Sequence, residues 1–167
     1  MKTTKYKFLK HLLLACFFLL FASCKTALAP KYDAIIIENL NASATETLSF
    51  LATISDGTDS DSFVKREAVY NALIGAFETL ELLARARPLP KNNATKRINV
   101  ILNTRGKPSI ENDYPSAFAF KRIAENIKKM KDTDRTSGLK PFAIAAFKGE
   151  LLIFLDQALT YESFLKR

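Results

Sequence analysis

Apolar residues recur at every third or fourth position through four long segments of this 167-residue chain. That spacing confines each segment to a helix with one buried face. In the first, Ile36, Ile37, Leu40, Ala44, Leu48, Leu51 and Ile54 carry the stripe, with Pro30 expected in the first turn and Asp33 near its positive end. The second is expected from about Ser62 to Arg87, with Tyr70, Leu73, Phe77, Leu80 and Ala84 on its inner side and Arg87-Pro88-Leu89-Pro90 as its stop. Another starts near Pro115 and carries Phe118, Phe120, Ile123, Ala124, Ile127 and Met130. It gives way to a polar turn expected over Asp132 to Lys140. The last runs from Pro141 to about Leu165, with Ile144, Phe147, Leu151, Leu155, Ala158 and Leu165 along one side. A short helix fits Ala94 to Asn103, and no segment alternates as a strand does. The expected fold is all-α, an antiparallel four-helix bundle-like domain with one extra short helix.

The amino end has a different character. Lys2, Lys5, Lys7 and Lys10 precede an apolar run, Leu12 to Ala22, which is shorter than the roughly 20 residues that span a bilayer. A basic start, a short apolar run and small residues beyond it form a secretory signal. Its end, Phe21-Ala22-Ser23-Cys24, resembles the lipobox of bacterial lipoproteins, with Phe21 where leucine is usual. The competing cut is Ala27-Leu28-Ala29, which Pro30 directly after it disfavours. The resemblance covers the first 24 residues only and implies a processing class rather than an activity. It divides the chain into a signal peptide (1–23), a tether (24–29) and a helical domain (30–167). It also implies a chain held to a membrane by acyl groups (palmitate among them) on Cys24. Lys25 stands where the familiar inner-membrane retention signal has aspartate, so the expected place is the bacterial cell envelope, at the outer membrane facing the periplasm or the surface.

Composition narrows the chemistry. The chain has no Trp and one His, His11, which lies in the signal; beyond the signal the one Cys is Cys24. Histidine-based nucleophilic catalysis, zinc sites built on His or Cys, and Glu-x-x-His di-iron sites are thereby excluded from the domain. There is no phosphate-binding glycine loop. No metal, cofactor or catalytic residue is expected. Carboxylates such as Glu78 and Glu81 leave a hydrolase as a third option, but Arg85 lies four residues beyond Glu81 and suggests solvated ion pairs.

The positive charge is unevenly placed. Of the 25 Lys and Arg, four precede Cys24, leaving 21 against 17 Asp and Glu. Leu82 to Ile110 contains no acid and seven bases: Arg85, Arg87, Lys91, Lys96, Arg97, Arg105 and Lys107. In an up-down-up-down bundle this connection returns to the end where the tether enters. It could there face anionic lipid headgroups; the plainer alternative is a solvated helix end. It has no aromatic residue for base stacking, and a secretory signal leads away from nucleic acid, so nucleic acid is not an expected partner. Two acidic turns, Asp56 to Asp61 and Asp132 to Asp134, lack the EF-hand pattern and suit capping. Gly75 and Gly149 sit inside helices, where close helix packing, or a narrow pocket for an apolar or lipid ligand, would explain them. The leading expectation is a membrane-tethered, non-enzymatic module that binds a protein partner or supports an envelope assembly, with the ligand carrier as the alternative.

Overall fold

The computed structural model describes residues 29–88, 93–106 and 114–166. Five α-helices and no strand are found among them: α1 (Ala34–Thr53), α2 (Val64–Ala86), α3 (Asn93–Thr104), α4 (Pro115–Ser137) and α5 (Pro141–Leu165). The chain is all-α, as its spacing implies. Helices α1, α2, α4 and α5 close a ring in which each packs on two neighbours, α2 on α4 and α4 on α5 most extensively. Ion pairs and aromatic contacts set the directions. Arg66 meets Asp134, whereas Arg87 meets Glu162, and Phe118 meets Phe154. The four helices therefore alternate up and down, and α3 lies in the long connection between α2 and α4.

The apolar stripes form the core. Tyr70, Leu73, Phe77, Leu80 and Ala84 from α2 are buried, with Ile36, Leu40 and Leu51 from α1, Phe120, Ile123, Ile127 and Met130 from α4, and Leu151, Leu155 and Ala158 from α5. Each large side chain buried here contributes about 1.5–3 kcal/mol of transfer free energy. Leu48, on the expected stripe of α1, is partly exposed, and Phe50 and Thr47 are buried instead. Phe50 stands edge-on to the Tyr70 ring at 4.8 Å.

Two boundaries differ from the periodicity. Helix α1 begins at Ala34 rather than near Pro30, because the Asp33 carboxylate accepts from the Ile35 N–H and caps it. Helix α4 continues through Ser137, so most of the expected polar turn is helical, and α4 matches the 23 residues of α2. The extra turn is held because Asp134 is drawn into a buried ion pair. The short helix does not fill the bundle: Lys96, Arg97, Ile98, Val100 and Ile101 of α3 are all exposed.

Glycine is required where two connections cross. Gly57 (φ +105°) ends the turn after α1, and Gly138 (φ +71°) ends α4. A Cβ on Gly138 would collide with the Thr58 carbonyl oxygen. The two connections are tied by the Thr58 N–H donating to the Leu139 carbonyl at 2.8 Å.

Candidate functional site

Charged side chains enter the core at both ends of the bundle. At the end where α2 begins, the Asp134 carboxylate, 0% exposed, accepts four hydrogen bonds. Arg66 donates two of them, from Nε at 2.7 Å and Nη2 at 2.8 Å; the Tyr70 hydroxyl donates at 3.1 Å and the Thr58 hydroxyl supplies the fourth. Arg66 also donates to the Ser62 hydroxyl and the Asp59 carbonyl, and so fixes the connection before α2. The Asp134 hydrogen bond raises the Arg66 pKa further above its usual value. Burial, then the Asp134 charge, hold the Tyr70 phenol far above the usual tyrosine range.

At the other end, the Arg87 guanidinium donates to the Glu162 carboxylate from Nη1 and Nη2, at 2.9 and 2.6 Å, and from Nη2 to the Ser116 hydroxyl at 3.0 Å. Glu162 is 0% exposed. The Tyr114 ring lies under the guanidinium with its centroid 5.4 Å away. Burial pushes the nearby Tyr161 phenol up to about 12. Each arrangement is a two-pronged Arg–carboxylate pair. Among the described residues no fully buried side-chain nitrogen or oxygen of either cluster lacks a hydrogen-bond partner, and the two clusters fix which helix ends meet.

The basic residues of the α2–α4 connection separate into distinct groups. Arg87 is buried against Glu162 and cannot meet a headgroup, which corrects its expected role. Arg85 pairs with Glu81 at 3.0 Å. Lys96 and Arg97 on α3, and Arg105 just after it, are exposed. Lys91 and Lys107 lie outside the described residues, as do Cys24 and the rest of the lipobox.

The glycines are not explained by close packing. A Cβ on Gly75 or Gly149 would meet nothing within 4 Å, and both positions are exposed. Gly75 borders an open groove of about 420 Å³ between α1 and α2, rimmed by Asn39, Ser43, Glu46 and Thr79 among others. That groove is open, and its lining mixes polar groups with Ala42, Ala72, Ala76 and Leu80. Gly149 instead lies on the outward side of α5, with Phe142, Ala145, Ala146, Leu152 and Ile153, all exposed. Phe142 is 76% and Ile153 66% exposed. Over three turns this face carries no charge; Asp156 ends it.

Most of the glutamates that could serve a hydrolase are met by cations, Glu81 by Arg85, Glu78 by Lys128, Glu67 by Lys131, and both Glu125 and Glu150 by Arg122, whereas Glu38 and Glu46 are exposed with no ion pair among the described residues. Asp59 caps the turn before α2, accepting from the Ser62 N–H and hydroxyl, and those bonds lower its pKa. Among the described residues no group of three or more His, Cys, Asp or Glu is arranged to hold a metal ion, and no helix is long and apolar enough to cross a membrane.

Asp134, Glu162 and the buried Asn126 were not singled out by the apolar spacing, yet each lies on a stripe. Asp134 is four residues past Met130, Glu162 four past Ala158, and Asn126 three past Ile123. No protein-family model, curated protein or solved structure matches the chain.

Proposed function

We propose that this chain is a bacterial lipoprotein, tethered through acylated Cys24 in the cell envelope, whose bundle is a non-enzymatic docking module for a protein partner. The carrying observation is the outward side of α5. Phe142, Leu152 and Ile153 stand exposed around Ala145, Ala146 and Gly149. A monomer gains nothing from leaving such large side chains in water, and a contiguous apolar surface of this kind marks interaction sites. Small residues at its centre let a partner backbone approach closely, and the large ones at its edges supply burial. The two-pronged ion pairs at the bundle ends and the cations on Glu67, Glu78, Glu81, Glu125 and Glu150 favour binding over hydrolysis.

A photo-crosslinking residue at Ile153, in chain expressed in its host envelope, tests this. The expected outcome is a discrete crosslinked species that is lost with Phe142→Asp and absent when the crosslinker replaces Asn41 on α1. Equal crosslinking from both positions would refute docking at α5. Intact-mass analysis of the same membrane-extracted chain reads the tether: acyl groups on residue 24 support it, and a free thiol overturns it.

A further inference from the structure

Helix α3 is amphipathic and has no place in the core. Spacing puts Ile98, Ile101 and Leu102 on one face, with Arg97 at its edge and Arg105 just past the end of the helix. Ile98 and Ile101 are exposed, and Leu102 is only partly covered. In water this is an unsatisfied arrangement, because a twelve-residue helix gains little from propensity alone and depends on burying its apolar side.

Charge selects what would cover it. No acidic residue occurs from Leu82 to Ile110, and Lys96, Arg97 and Arg105 are exposed and make no ion pair among the described residues. The alternation of the helices sets the place. Helix α3 joins the end of α2 to the start of α4, at the same end of the bundle where residue 29 enters α1. The residues just before that point include Cys24, acylated in the reading above. A short basic amphipathic helix beside a membrane-directed chain end fits one occupant best. We infer that α3 lies in the plane of an anionic lipid surface, with Ile98 and Ile101 at the acyl boundary and Arg97 and Arg105 among the headgroups. This rests on the membrane-tethered reading above and adds a second, electrostatic contact to it. Arg87 takes no part, since Glu162 holds it in the core.

Hydrogen exchange on the full chain tests the inference, with the chain placed on vesicles of phosphatidylcholine alone or with an equal part of phosphatidylglycerol. Amides of α3 should exchange at least about tenfold more slowly on the anionic vesicles. The K96Q/R97Q/R105Q variant should exchange at the neutral-vesicle rate on both, and Ile101→Ser should lose most of the protection. Amides of α2 and α4 should not differ between vesicles, which verifies that every variant is folded. Equal α3 exchange on the two vesicles would overturn the inference, and so would protection that survives in the triple glutamine variant. Protection already complete on neutral vesicles would also overturn it, assigning α3 to the bundle or a second copy. Flotation with neutral vesicles and the mass of residue 24 report separately on the tether, so the two readings fail independently.

Discussion

Four hydrogen bonds converge on the Asp134 carboxylate, so its removal takes its partner charge from the half-buried Arg66 guanidinium and leaves the buried Tyr70 hydroxyl without an acceptor. Asp134→Ala should cost about 3–5 kcal/mol, read as a lower urea midpoint with unchanged slope. Asn126 is the opposite case: it is buried with neither amide atom hydrogen-bonded. Asn126→Leu should raise stability by about 1 kcal/mol or more in the same assay, because it removes an unsatisfied polar group of similar size. Tyr161 gives a pH signature. Its folded pKa is raised to about 12, whereas an unfolded tyrosine ionises near 10. Between these values the unfolded state holds fewer protons, so stability present below about pH 10 falls as pH rises. Tyr161→Phe should flatten that fall, measured from denaturation midpoints on either side of about pH 10. These residues show what the spacing held and what it did not. Asp134, Glu162 and Asn126 sit in register with apolar stripes, which signals burial. Their partners could not be read the same way, because Arg66 and Arg87 lie 68 and 75 residues away.

At the scale of elements, helix existence followed from the 3.6-residue pattern and its glycine and proline stops, whereas helix ends depended on side chains. Helix α4 outlasts its apolar stripe because one ion pair holds its final turn, a tertiary effect that local polarity hides. The orientation of Gly149 was available earlier: it is two residues from buried Leu151, about 200° around the helix. It therefore faces away from the core, and close internal packing was the wrong inference. The glycines now separate by consequence. Gly149→Ala and Gly75→Ala meet open space in helical backbone and should each stabilise by about 0.5–1 kcal/mol. Gly138→Ala combines a positive φ with a Cβ that collides with the Thr58 carbonyl oxygen and should destabilise by more than that. Thermal midpoints of the three variants check both signs.

Across the whole molecule, one buried Arg–carboxylate pair closes each end of an alternating bundle, and the α2–α4 interface spans both. Sliding α4 along α2 by one turn, about 5.4 Å, would break the Arg66–Asp134 pair and shift Ser116 away from Arg87 at the same moment. Core amides of α2 and α4 should therefore open only with global unfolding, seen in native-state hydrogen exchange as a single shared opening free energy. The body between its two ends then acts as a strut rather than a lever. Force or occupancy felt on one side would be transmitted without change of length, and whatever shifts position in this protein would have to do so outside that frame.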